Sequence, residues 1–109
     1  MTNQDVQEAL HDMMEVIREA PEPYFLIDFH APWCGPCRAL GPALEKLAAN
    51  FKGKVRFGKV NVDDNQELAV GLQVDSLPTV MIFDRQGTML QKWVAPRPTD
   101  IAAYINTLE

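Results

Sequence analysis

Cysteine is nearly absent from this chain: two of 109 residues, with only two histidines beside them. Two cysteines and the distant His11 and His30 do not make the four-ligand set of a structural zinc site, and no second C-x-x-C completes it. Basic residues are also few. Ten Lys and Arg against fifteen Asp and Glu leave a net charge of −5, and the ten are scattered, whereas a nucleic-acid surface needs them clustered. The acidity is read as serving solubility. Long apolar runs are missing: "YFLI" and "VMIF" fall far short of the ~20 residues of a membrane helix. The start, "MTNQDVQEALHDMM", has no basic residue ahead of an apolar block, so it does not read as a secretory signal. Repeats and low-complexity stretches are lacking too. What remains, at 47% hydrophobic and 23% charged, is one globular domain over residues 1–109, expected to be soluble and cytoplasmic, with no membrane and no nucleic-acid partner.

The apolar pattern sets out the elements. Val6, Leu10, Met13, Met14 and Ile17 recur at helical spacing and predict an amphipathic helix over about residues 4–19, with the methionines as core packing, stopped by Pro21 and Pro23. The run "YFLIDFH" (24–30) is nearly continuous in apolar residues, the pattern of a strand buried on both faces. Leu40, Leu44, Leu47 and Phe51 mark a helix after the cysteines, with Gly53 just past its end. A strand is expected at 54–62, a short helix at 65–72, and a hairpin of strands 79–84 and 88–94 about the turn "RQG". A last helix follows at 99–108, with Thr99 as its N-cap and Pro98 before it. The order α-β-α-β-α-β-β-α predicts an α/β fold: a central mixed sheet with helices on both faces.

Cys34 and Cys37 stand three positions apart in "APWCGPC". As a structural staple the pair is poor, because closing a loop of ~4 residues removes little unfolded-state entropy. As a redox couple it is well placed. A buried strand ends at His30, a short loop follows, and a helix begins at about Cys34 or Gly35, which puts the Cys34 sulfur among the unpaired N–H groups of a helix N-terminus. That setting lowers a thiol pKa from ~8.5 toward ~7 or below. Cys37, one turn on, can attack a mixed disulfide formed at Cys34. Pro36 falls in the first helical turn, where its missing N–H costs nothing, and Gly35 leaves the approach to sulfur open.

With "WCGPC" the chain resembles the thioredoxin family, and the likeness extends over about residues 24–108. Asp28, six residues before Cys34 in the buried strand, is similar to the acidic residue of thioredoxins. Lys59 in "GKVNVDDNQELA", Pro78 in "SLPT", Pro42 in the active-site helix and the turn in "FDRQG" resemble family features in the same order. The resemblance implies a thioredoxin fold and a protein-disulfide reductase. Cys34 would be the nucleophile, Cys37 the resolving cysteine, Asp28 the group managing the Cys37 proton and Lys59 the partner of Asp28. It implies a cis Pro78 facing the cysteines, with the Leu77 backbone as docking edge for a target segment and Trp33 as an apolar contact. Together with Gly35, Pro36 and Ala95 these residues would form the substrate surface. No bound cofactor is implied. Electrons would come from a flavin-containing thioredoxin reductase using NADPH, and Gly-Pro between the cysteines suggests a reducing potential, about −270 mV. A disulfide isomerase, or a binding subunit using the same surface without turnover, are the alternatives.

Three departures stand out. No strand pattern precedes the first helix, so the sheet is expected to have four strands, the family's usual first strand missing. The strand at 54–62 then becomes an open edge, guarded by Lys54, Arg56 and Lys59 or paired with another subunit. His30 stands where the family often has Trp, and is either a strand-end residue without a role or a group perturbing the cysteines' titration. Ala95 replaces the usual Gly after Val, putting a methyl group where a substrate backbone passes.

Overall fold

A computed structural model describes residues 1–109. Helices and strands alternate until a closing hairpin and helix: α1 (Asn3–Glu19), β1 (Tyr24–His30), α2 (Gly35–Asn50), β2 (Val55–Asn61), α3 (Gln66–Gly71), β3 (Thr79–Asp84), β4 (Met89–Val94) and α4 (Pro98–Thr107). The sheet order is β2-β1-β3-β4. β1 runs parallel to β2, joined through α2, while β1–β3 and β3–β4 are antiparallel. This is the four-stranded mixed sheet expected from the element order.

The period of two along the strands decides what each face holds. Leu26 of β1 and Val80 and Ile82 of β3 pack with Leu40 and Leu44 of α2 and Ile101 and Ile105 of α4. Ile27 and Phe29, with Met81 and Phe83, face the other way and pack with Met13 and Ile17 of α1 and Leu68 of α3. The methionine stripe of α1 is thus core packing. By the same alternation Asp28 falls on the Leu26 face, under α2, and a slip of one residue would send it to the other side.

Local chemistry sets the ends. Thr2 caps α1 by accepting the Asp5 N–H at 3.1 Å while Asp5 Oδ2 accepts the Thr2 N–H at 2.9 Å, a reciprocal cap written in the sequence as T-x-x-D. In the hairpin turn, Asp84 Oδ1 accepts from the Gln86 and Thr88 N–H groups, and Gly87 takes φ +85°, open to glycine at little cost. One cap differs from expectation. α4 begins at Pro98, with Arg97 and not Thr99 at the N-cap. Proline's fixed φ is already helical, so it starts the helix rather than preceding it.

β2 is an edge, and the cations on it, Arg56 and Lys59, and the one just before it, Lys54, are each engaged. Lys54 Nζ donates to the Ile105 carbonyl at 2.9 Å, Arg56 Nε pairs with Glu22 at 2.8 Å, and Lys59 Nζ with Glu45 at 3.6 Å. No helix is long and apolar enough to cross a membrane.

Candidate functional site

The C-terminal end of β1 opens into the loop carrying Trp33 and the cysteines. By register this end of the sheet also holds the segments before β3 and after β4: Phe29 lies beside Thr79, and Thr79 beside Val94. Three stretches far apart in sequence therefore converge here: 31–37, 76–79 and 94–95.

Cys34 is the N-cap of α2, and its sulfur accepts the Cys37 N–H at 3.2 Å. A helix N-terminus supplies donors and the positive end of the dipole to whatever charge sits on that atom. Cys34 and Cys37 are joined as a disulfide, with Cα atoms 5.3 Å apart. Total exposure does not separate the two, at 5% and 6%. Their places in the helix do: Cys34 stands at its tip, and Cys37 lies inside the first turn, lining a cleft with Asp28. Beside them Gly35 faces open space, and Pro36 occupies the first turn as expected.

That cleft, about 270 Å³, lies between β1, β2 and α2 and is lined by Asp28, His30, Cys37, Arg38, Glu45 and Lys59 among others. Asp28 is 3% exposed, and its Oδ1 has no hydrogen-bond partner. Burial pushes its carboxyl above the usual value, while the charges of His30 and Lys59 pull the other way and do not cancel it. Lys59 is the register neighbour of Asp28 across the parallel pair, yet its ion pair is with Glu45. His30, the first departure from the family pattern to touch the site, shares the cleft with Asp28 and Cys37.

The Leu77–Pro78 bond is cis. Thr79 Oγ1 donates to the Ser76 carbonyl at 2.6 Å, and the Ala95 N–H donates to the Pro78 carbonyl at 2.8 Å, so this loop is tied on both sides. Trp33 is 66% exposed, an unusual state for a large apolar ring. Its indole N–H is held by the Asp63 carboxylate at 3.1 Å, and with Val70, Val74 and Leu77 it lines a groove of about 350 Å³.

Ala95 sits at φ +48°. For a residue with a Cβ this left-handed conformation costs about 1–2 kcal/mol, partly offset in an exchange for glycine by glycine's larger unfolded-state entropy. Ala95→Gly is expected to raise stability by roughly 0.5–1 kcal/mol, read as a higher urea midpoint with unchanged slope. A lower midpoint would show that the backbone there is unstrained.

Two contributors were not singled out from sequence. Asp63 lies two residues past the end of β2, and the only signal for it is that a Trp beside a cysteine needs an acceptor for its N–H. Glu45 had a clearer signal, since Cys37, Gly41 and Glu45 are spaced i, i+4, i+8 and share one side of α2.

The chain matches the protein-family model for thioredoxin over residues 5–107. It is 40% identical to the thioredoxin of Haemophilus influenzae over 106 residues, 93% of this chain and 97% of that one. It is 42% identical to mouse mitochondrial thioredoxin over 84 residues, 76% of this chain, but spans only half the length of that relative. Among solved structures, Trichomonas vaginalis thioredoxin superposes with a TM-score of 0.84 at 34% identity, covering 92% of this chain and 91% of the other.

Proposed function

The chain belongs to the thioredoxin family, and from that premise we propose that it is a protein-disulfide reductase working through Cys34 and Cys37. The observation that supports this reading most directly is the Cys34 sulfur at the tip of α2, accepting the Cys37 N–H. A donor already aimed at the sulfur favours its thiolate, which is the attacking species in exchange.

The reaction runs in two exchanges. In the reduced protein the Cys34 thiolate attacks one sulfur of a target disulfide; a Cys34–target bond forms, and the target's other sulfur leaves as thiolate. Cys37 then gives up its proton and attacks Cys34. The Cys34–Cys37 bond forms, the second target sulfur leaves, and two electrons have passed to the target. Asp28 is the group placed to take the Cys37 proton, because it lines the same cleft and burial gives its carboxyl a raised affinity for protons. Lys59 modulates Asp28 from the neighbouring strand. Trp33, Gly35, Pro36, Leu77, Pro78 and Ala95 form the surface on which a target segment docks, apolar at Trp33 and Leu77.

Electrons come from a flavin-containing thioredoxin reductase that draws on NADPH, and the activity belongs in the reducing cytoplasm, where a two-cysteine couple is returned to dithiol. The test is a coupled assay with NADPH, such a reductase and a disulfide-bonded protein. NADPH consumption that depends on this chain is the expected result. Reduction with dithiothreitol but none with NADPH would remove the electron source and leave the exchange chemistry standing. Reduction with neither would remove both.

A further inference from the structure

Lys59 has two carboxyl groups within its surroundings and is paired with the nearer in sequence and the more exposed. Across the register its neighbour is Asp28, buried and with Oδ1 unpartnered. Nζ instead lies 3.6 Å from Glu45 Oε1, whose side chain is 71% exposed. The ammonium rests against the helix: a Cβ at Gly41 would meet Nζ at 3.7 Å, an ordinary van der Waals contact. Cys37, Gly41 and Glu45 form one stripe of α2 and one wall of the cleft, with Asp28 and Lys59 opposite.

We propose that Glu45 is a positioning residue for the exchange reaction: by holding the Lys59 ammonium against α2 it keeps that cation off Asp28, so the Asp28 carboxyl retains the proton affinity needed to take the Cys37 proton. The proposal rests on the role given to Asp28 above. The lysine stem is flexible and its charge compact, so it can serve either carboxylate. The remaining charged or titratable groups at Asp28 are His30 on β1 and Cys37 and Arg38 on α2; β3 presents Val80 opposite it. His30 and Lys59 act on the Asp28 charge, both favouring ionisation. Releasing Lys59 strengthens the second of these effects and lowers the proton affinity of Asp28.

The experiment follows the Asp28 carboxyl carbon by NMR against pH in the oxidised protein, and the single-turnover release of target from the mixed disulfide against pH. Both are measured for the natural chain, Glu45→Gln, Lys59→Met and the double variant. Glu45 is exposed, so its loss leaves the core intact. In Glu45→Gln the Asp28 titration and the acid limb of the release profile both move to lower pH, while release on the plateau, where Asp28 is ionised in either protein, slows by up to about threefold because a weaker base takes the proton. In the Lys59→Met background the same substitution changes neither. An unmoved Asp28 titration in Glu45→Gln overturns the proposal, as does an equal shift with and without Lys59, which would make Glu45 a direct charge effect. A titration that moves as expected beside an unmoved rate profile supports the hold on Lys59 and overturns the role of Asp28 instead.

Discussion

Replacing Asp28 by Asn is expected to stabilise the protein at neutral and alkaline pH while slowing disulfide reduction. Asp28 is 3% exposed and lacks a partner for Oδ1, and burial raises its carboxyl above the ordinary value. A carboxyl whose folded pKa exceeds its unfolded one binds its proton more tightly in the native state. Its favourable contribution is complete below the unfolded value and is lost as pH rises through the folded value. Above that value the natural protein carries a buried, poorly compensated charge, and asparagine does not. The Asn variant should therefore gain about 1–3 kcal/mol near pH 8, with the gain shrinking toward zero near pH 4. Urea unfolding at the two pH values measures it, and a difference that does not change with pH would contradict the account of Asp28. With Asp28 as the proposed acceptor of the Cys37 proton, its loss should cost at least about tenfold in turnover, an effect largest where Asp28 is ionised in the natural protein. A stabilised variant with undiminished turnover would assign the carboxylate no part in exchange.

The second large effect separates the two cysteines. Cys34→Ser and Cys37→Ser should both reduce turnover to the rate of the chemical reductant alone, yet for different reasons. Without Cys34 no sulfur stands at the tip of α2, where the backbone donors and the dipole favour thiolate. The first attack then fails. Without Cys37 the first attack proceeds, but nothing within the helix resolves the product, and the protein stays bonded to its target. The near-equal exposure of the two residues would predict equal behaviour, so the asymmetry tests the helix argument rather than simple access. Equal capture by both variants would favour access and discard the helix argument.

Much of this was legible before the fold was known, and for identifiable reasons. The ends of β1 follow from "YFLIDFH" being apolar on both faces, and those of β3 from "TVMIFD" being bounded by Pro78 and a turn. The alternation that puts Leu26 in one core and Ile27 in the other also puts Asp28 on the Leu26 face, given only that β1 is a strand; that α2 covers this face comes from the packing. Cys34 at a helix start followed from a strand, a short loop and Pro36. The cap of α4 was misplaced by two residues, since Thr99 and Pro98 both signal a helix start and backbone geometry favoured the proline.

The rest depended on packing between elements. Lys59 pairs with Glu45 because α2 lies over the strands closely enough to bring that carboxylate within 3.6 Å of the ammonium. The spacing of Cys37, Gly41 and Glu45 marked one side of the helix, but nothing local said which strand residue would face it. Asp63 reaches Trp33 across 30 positions of sequence. The left-handed backbone of Ala95 was likewise unmarked, since alanine rarely adopts it.

Exchange that begins at Cys34 is the central claim, and the intact mass of covalent complexes tests it most directly. Reduced Cys37→Ser protein, mixed with a disulfide-bonded target and separated without thiols, should carry one target chain on Cys34, released by dithiothreitol. Cys34→Ser treated alike should carry none. An unmodified mass for Cys37→Ser, or the same adduct on both variants, would contradict the claim.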